Sequence, residues 1–383
     1  MQRLKAVSLF ANIGIAEAYL KDIGIDVVVA NEIDKKRVEF YRYVYPETNM
    51  IQGDITEKMI FNDIVEASRQ EDVDILLATP PCQGMSTAGK KDPNDHRNKL
   101  ITYAIDAINK INPKFIFLEN VPQQLRTKIE YKNEKILIPE YIKCELSERY
   151  NIKNKIINCT DYGVAQSRER SIFIMVRKDI NIEWDFPESN GKILTLKDVI
   201  GSLPDIDPII QGFSEEEILK VFPKFKENEA KGRQVSKWHK PPTHKIRHIN
   251  VMRYTPEGKS ALENKIHYPK KENGDRIVGF KNTYKRQWWN KPAYTVTTYN
   301  GAICSHDNVH PGRLIGRDND GFEIYSNPRV LTIYELMLIT SLPKNWNIPD
   351  NAPESLIRKG IGEGIPSLVV KKIFENLIKN IKN

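Results

Sequence analysis

Four short apolar runs, each stopped by a polar or proline-bearing turn, limit what this chain can fold into. Leu4 to Phe10, Asp26 to Ala30, Ile75 to Ala78 and Pro113 to Leu118 are strand-length and too short to be buried helices. Between them lie stretches with helical spacing. Residues 15–23 put Ile15, Ala16, Tyr19, Leu20 and Ile23 on one face, and Leu100 to Ile111 does the same with Ile101, Ala104, Ile105, Ala107 and Ile108. Strands alternating with helices predict an α/β fold: a mostly parallel sheet with helices on both faces. Ligands of such sheets bind beyond the carboxyl ends of the strands. The residues that stop the runs are therefore the candidates: Glu32, Asp54 on the Gly53 turn, Cys82 after Pro80-Pro81, and Glu119.

The first unit reads strand, Gly turn, helix, strand, acid, the opening of a nucleotide-binding fold. Backbone N–H groups of a turn can face a ligand, and an acid after the second strand can take ribose hydroxyls. The turn is Phe10-Ala11-Asn12-Ile13-Gly14, which lacks the dinucleotide glycine pattern; Asn12 can replace a turn glycine because asparagine tolerates positive φ. Glu32 alone reads more readily as an ordinary helix start than as a ribose ligand. Cys82 alone reads as a small buried thiol at a turn, although two prolines holding a cysteine just past a strand end also suit a nucleophile.

Asn151 to Asn158 and Arg170 to Val176 predict two further strands, and the alternation then stops. Residues 185–326 are rich in Pro, Gly, Lys and polar turns and predict a second, irregular domain. Helix resumes from Arg329 to Leu342, with Thr332 and Glu335 at capping-box spacing, and again from Leu368 to Ile381. The division expected is 1–184 with 352–383 as one domain and 185–351 as a second. Charge separates the two. Lys231 to Lys291 holds 16 Lys and Arg against 4 Asp and Glu, a balance of +12 that leaves −4 for the rest of a chain whose net charge is +8. Trp238, Tyr254, Tyr268, Phe280, Tyr284, Trp288 and Trp289 are interleaved there. A basic block with aromatics predicts a polyanion-binding surface. No apolar run reaches membrane-spanning length, and the four cysteines show neither paired nor metal-like spacing, which fits a reducing, cytoplasmic setting.

Together these segments resemble the cytosine-C5 DNA methyltransferases of bacterial modification systems, in order and nearly end to end, from Leu9 to Val370. Phe10-Ala11-Asn12-Ile13-Gly14 is similar to that family's cofactor loop, Asn31-Glu32 to its ribose acid, and Gly53-Asp54-Ile55 to its adenine-contacting turn. Pro80-Pro81-Cys82-Gln83 resembles the nucleophile loop. Glu119-Asn120-Val121 and Gln166-Ser167-Arg168-Glu169-Arg170 resemble the segments that hold the target base, and Arg329-Val330-Leu331-Thr332 with Glu335 the supporting helix.

The resemblance implies a catalytic and cofactor-binding role for 1–184 with 352–383, and target recognition, with a supporting helix, for 185–351. It also implies methyl transfer from S-adenosylmethionine, with S-adenosylhomocysteine as product and no metal, to C5 of a cytosine flipped out of double-stranded DNA. Cys82 is the expected nucleophile toward C6, Glu119 the proton donor at N3, Arg170 the group on O2, and Arg168 a positioning group. Cofactor contacts are expected from Phe10, Ala11, Asn12, Gly14, Glu32, Ile33, Asp54, Ile55, Pro80 and Leu100. DNA contacts are expected from Gln83, Ser86, Arg97, Gln166, Lys285 and Arg286, with the polar segment from Gln83 to Lys99 closing over the flipped base. A short palindromic site, a companion restriction endonuclease, a bacterial cytoplasmic location and a monomeric state complete the expectation. The chain departs from the family pattern where Asn12 and Ile15 stand for glycines, Met85 for an aromatic, and Glu363 for an asparagine. Three other readings compete. A tRNA cytosine methyltransferase would carry Cys-Phe-Thr in its recognition region, whereas Cys304 is followed by Ser305-His306. An inactive DNA-binding regulator would not need Cys82, Glu119 and Arg170. A nicotinamide dehydrogenase leaves the Pro-Pro-Cys turn and the basic block unexplained.

Overall fold

In the computed structural model, which describes residues 3–81, 99–189 and 191–382, a seven-stranded sheet organises the chain. Its strands are β1 (Leu4–Leu9), β2 (Ile25–Glu32), β3 (Asn49–Gln52), β4 (Ile75–Ala78), β5 (Phe115–Asn120), β8 (Tyr150–Asn158) and β9 (Glu169–Arg177); β6 (Lys128–Tyr131) and β7 (Glu134–Leu137) form a separate hairpin. The order is β3-β2-β1-β4-β5-β9-β8, parallel except where β9 runs against both neighbours. The expected mixed, mostly parallel sheet is therefore present.

Alternation along each central strand feeds two cores. Val7, Leu9, Leu76, Ala78, Ile116 and Leu118 face one, packed under helices α2 (Lys58–Gln70), α3 (Leu100–Ile111) and α4 (Ile138–Leu146). Ala6, Ile75, Leu77, Phe115 and Phe117 face the other, covered by α11 (Ser367–Lys382). This is the period of two expected of strands buried on both faces. The C-terminal helix thus completes the sheet, and Trp184 donates from its indole to the Ile373 carbonyl at 2.9 Å.

Two expectations need correction. The helix predicted over 15–23 is a run of turns closing in a single 3-10 turn, Lys21–Ile23. Its apolar residues serve two different cores, Ile15 one and Ala16 and Leu20 another, while Ala11 just before it enters a third beneath α1 (Lys35–Val44). A helix with one apolar face cannot do that. The 185–326 region is also less irregular than predicted, since it contains α5 (Leu196–Ile200), α6 (Glu215–Val221), α7 (Phe225–Val235) and α8 (Ile246–Arg253). α6 buries only Ile218, and α7 only Phe225 and Gly232, too few apolar positions to leave a periodic trace.

The chain returns through α9 (Ile333–Ile339) and α10 (Glu354–Glu363). Thr332 caps α9 as its spacing predicted: its side chain accepts from the Glu335 N–H, and Glu335 Oε2 accepts from the Thr332 N–H at 2.7 Å. The boundary expected at 351 runs through one apolar core. Trp346 and Ile348 before it and Ile357 and Ile361 after it pack together with Ile13, Ile15 and Phe40.

Candidate active site

The carboxyl ends of β1, β2, β4 and β5 meet at one edge of the sheet, and β9 joins them because it is antiparallel. Asn120 pairs with Ser171 and Glu119 with Ile172, so Arg170, just before Ser171, arrives beside the end of β5. Its Nε donates to Glu119 Oε1 at 2.6 Å, with both side chains about nine-tenths buried. Burial raises the Glu119 pKa, and Arg170 and Arg168 pull it down without cancelling the rise. Asn120 donates from Nδ2 to the Pro80 carbonyl at 3.1 Å, tying the end of β5 to the turn that leads into Cys82. Cys82, Gln83, Ser86 and Arg97 lie outside the described residues. Cys159 is no substitute, because it is fully buried in an apolar core and burial pushes its thiol up to about 11.

The turn after β1 is built for close approach. Phe10, Asn12 and Gly14 all take positive φ (59°, 52° and 83°), bearing out the expectation for Asn12. At Gly14 the Tyr45 ring occupies the space of any Cβ, and the Tyr45 hydroxyl donates to the Gly14 carbonyl at 2.6 Å. Glu32 is nearly buried, and its carboxylate accepts from the N–H groups of Asn12, Ile33 and Asp34, each at 2.9 Å. Asp34, not Glu32, caps α1, which removes the helix-start reading of Glu32. Asn31 bridges to β3 through the carbonyls of Ile51 and Gly53 at 3.0 and 3.1 Å. Asp54 accepts from the Thr56 N–H at 2.9 Å, and Phe10 and Leu100 are half-buried beside the same core. Ala11 and Ile55 are buried in cores, so only their backbones can serve a ligand, and Ile33 is 60% exposed.

These residues fit an adenosyl group: a fixed carboxylate for hydroxyls, a tight positive-φ turn held against that carboxylate, and a second acid on the neighbouring turn. Sequence reasoning missed Arg37. Its Nη2 donates to Glu363 Oε2 at 2.7 Å and its Nη1 lies 4.0 Å from Glu32 Oε2. The one available signal was a cation in the first turn of the helix that follows the ribose acid.

Three expected site residues have other work. Arg168 is buried and donates to the carbonyls of Val296 (2.9 Å), Gly362 (2.9 Å) and Glu363 (3.1 Å), which makes it a tie between the start of β9, the 185–351 region and α10. Gln166 is fully buried and accepts from the Val296 N–H at 3.0 Å. Arg286 was expected on DNA but is fully buried, donating to the carbonyls of Met252, Thr255, His310 and Asn327 at 2.7 to 3.0 Å. With four of its five N–H donors engaged and its side chain fully buried, this guanidinium cannot reach a phosphate. Lys285 keeps 20% exposure and pairs with Asp307 at 3.2 Å. Among the described residues no group of acids, histidines and cysteines could hold a metal, and no helix is long and apolar enough to cross a membrane.

The model of the C-5 cytosine-specific DNA methylase family matches residues 4–379. The chain is 39% identical over 381 residues to the type II methyltransferase M1.HgaI of Avibacterium volantium, covering 98% of both chains. It is 33% identical over 205 residues to the type II methyltransferase M.HhaI of Haemophilus parahaemolyticus, covering 53% of this chain and 58% of that one. Among solved structures, a prophage-encoded DNA modification methyltransferase from E. coli superposes with a TM-score of 0.65 at 20% identity, covering 99% and 100% of the two chains. The Dnmt2 methyltransferase of S. pombe does so at 0.59 and 14%, covering all of both, and at such identities the likeness is one of fold. With its strand-end acids, cofactor turn and Gln-Ser-Arg-Glu-Arg segment in the order of that family, the chain belongs to the C-5 cytosine-specific DNA methylases, enzymes that methylate DNA cytosine at C5 and whose implied methyl donor is S-adenosylmethionine.

Proposed function

We propose that this enzyme methylates one cytosine within a short specific sequence of double-stranded DNA through a covalent adduct on Cys82. The observation that carries the reading is the buried Glu119–Arg170 pair at the end of β5, which Asn120 ties to Pro80, two residues before Cys82 in the sequence. S-adenosylmethionine supplies an electrophilic methyl group on its sulfonium. Cytosine C5 is a poor nucleophile until the Cys82 thiolate adds to C6, which turns C5=C6 into an enamine. Charge that develops on the ring would be met at N3 by a proton from Glu119, whose burial raises its pKa and so favours the protonated form that this role needs. Arg170 holds Glu119 and faces O2. Once C5 carries its new substituent, its proton leaves to water, the Cys82–C6 bond breaks and the N3 proton returns to Glu119, restoring the aromatic ring, the thiolate and the acid.

Glu32 and the Asn12 turn would hold the adenosyl group, with Asp54 and the backbone at Ile33 and Ile55 around the base. The basic 231–291 block would take phosphates, so affinity should fall steeply with salt. The type II names of the relatives support a modification role, protecting DNA from a companion endonuclease in a bacterial cytoplasm, with the enzyme acting as a monomer. The 39% identity to a type II methyltransferase favours DNA over the tRNA substrate of the competing reading.

The test is methyl incorporation from labelled S-adenosylmethionine into duplex DNA by the wild type and Cys82→Ser. Loss of at least about a thousandfold is expected in the variant, and incorporation that persists there rejects the covalent route. Bisulfite sequencing of the methylated DNA then gives the site and shows whether it is palindromic.

A further inference from the structure

We infer that Tyr45 is a positioning residue for methyl transfer: without touching a ligand, it holds the turn after β1 in its binding shape through Gly14. The inference rests on the reading of that turn as the cofactor site. Tyr45 is the C-cap of α1, and its hydroxyl reaches back across 31 residues to donate to the Gly14 carbonyl at 2.6 Å. Its ring also fills the space beside Gly14, where a Cβ would lie 2.1 Å from Tyr45 Cε2. One side chain thus gives the same residue both a hydrogen bond and a wall. The turn needs holding, because Phe10, Asn12 and Gly14 all keep positive φ, which a bulky residue such as Phe10 adopts only under constraint.

The other anchors lie at the entry of the turn. The Ala11 N–H donates to the Asn31 carbonyl at 3.0 Å, the Asn12 N–H to Glu32 at 2.9 Å, and Asn12 Nδ2 to the Gly360 carbonyl at 3.1 Å. The Gly14 N–H folds back onto the Ala11 carbonyl at 2.9 Å, and Tyr45 then fixes the exit. Tyr45 is itself held from behind: its ring centre lies 4.8 Å from that of Tyr41, and the Trp346 indole donates to its hydroxyl at 3.4 Å. A phenol has one proton to donate, and Gly14 takes it, so none is left for a ligand. Burial raises the pKa of the hydroxyl, which keeps that proton in place. What Tyr45 supplies is therefore order in the empty turn, so that binding does not have to create it.

Tyr45→Phe keeps the ring and removes the bond. Calorimetric titration with S-adenosylhomocysteine should show binding about five- to tenfold weaker at unchanged stoichiometry, the worth of one hydrogen bond to a buried carbonyl. In methylation of duplex DNA, KM for S-adenosylmethionine should rise by a similar factor while kcat at saturating cofactor stays within about twofold. Hydrogen exchange of the ligand-free variant should show lost protection over residues 10–16, unchanged protection in β4 and β5, and recovery when S-adenosylhomocysteine is added. Unchanged affinity for S-adenosylhomocysteine overturns the inference. So does a fall in kcat or stoichiometry at unchanged affinity, the mark of lost folded protein alone, and so does an equal loss of protection throughout the sheet. In those cases the wild type still binds S-adenosylhomocysteine and the cofactor reading stands. If the wild type does not bind it, the cofactor reading falls and this inference falls with it.

Discussion

Phe117 and Arg286 are both fully buried, one in the sheet and one in the 185–351 region proposed for target recognition, and they stabilise their surroundings by unlike means. Phe117 meets the Phe374 ring at 5.5 Å in an apolar core. Arg286 meets four backbone carbonyls drawn from α8, its following turn and the segments at His310 and Asn327. Nearby, Arg329 pairs with Glu335 through both carboxylate oxygens, at 2.8 and 2.9 Å, and also reaches the Ile206 and Val330 carbonyls. The sheet is held by area removed from water, and the recognition region substantially by ionic groups that stitch loops together. Loops carry backbone groups that a sheet would have paired, and guanidinium forks supply the missing donors.

The largest break in that contrast should come from Arg286→Met, which fills the volume but leaves four buried carbonyls short of a donor. A loss of about 4 kcal/mol or more is expected, read as lost amide protection over 246–330 while β1 and β5 keep theirs. Equal loss in the sheet would show that the two regions unfold as one unit. Phe117→Ala should cost about 3–5 kcal/mol, with the opposite distribution of protection loss.

Acidity should separate the regions by sign. Burial lifts Glu17 to about 7 and also raises Glu119, so these acids contribute stability at low pH that is lost as pH rises from the ordinary carboxyl range toward 7. Burial lowers His244 to about 3 and His248 to about 4, with His239 and His310 moved the same way. Arg358 and Arg329 beside His244, and Arg247 beside His248, add to the shift. Their stabilisation is complete above the unfolded histidine value of about 6.5 and is lost as pH falls through the folded values. Hydrogen exchange corrected for intrinsic rates should show the recognition region loosening from pH 6.5 toward 4 while the sheet does not. Loosening of both together on acidification would contradict the assignment. The smallest effect is Thr332→Ala, which removes the cap of α9 and should cost about 1 kcal/mol, measured as a shift in the urea midpoint at unchanged slope.

The same contrast explains what could be read from the residues. Phe115 and Phe117 against Ile116 and Leu118 announce a strand buried on both faces, and the acids and prolines at strand ends announce where a ligand sits. Residues 15–23 misled because two cores share them, so their helical spacing is coincidental. Arg286 misled because a cation in a basic block reads as a phosphate contact, and no local pattern says that its side chain turns inward. Arg37 was hidden because its partner Glu363 lies more than 300 residues away. Tyr268 and Trp238, taken as partners for a polyanion, lie under cations of their own chain, Arg276 at 4.4 Å and Lys240 at 5.4 Å.

The central claim is that the Glu119–Arg170 edge serves a covalent attack by Cys82. A duplex with 5-fluorocytosine at the methylated position tests it, because fluorine at C5 cannot leave as a proton does and the adduct cannot collapse. After incubation with S-adenosylmethionine and protease digestion, mass spectrometry should find the methylated fluorocytosine nucleotide bonded to the peptide that contains Cys82. Methylation of the ordinary duplex with no such adduct, or an adduct on Cys144 or Cys304 instead, would contradict the account.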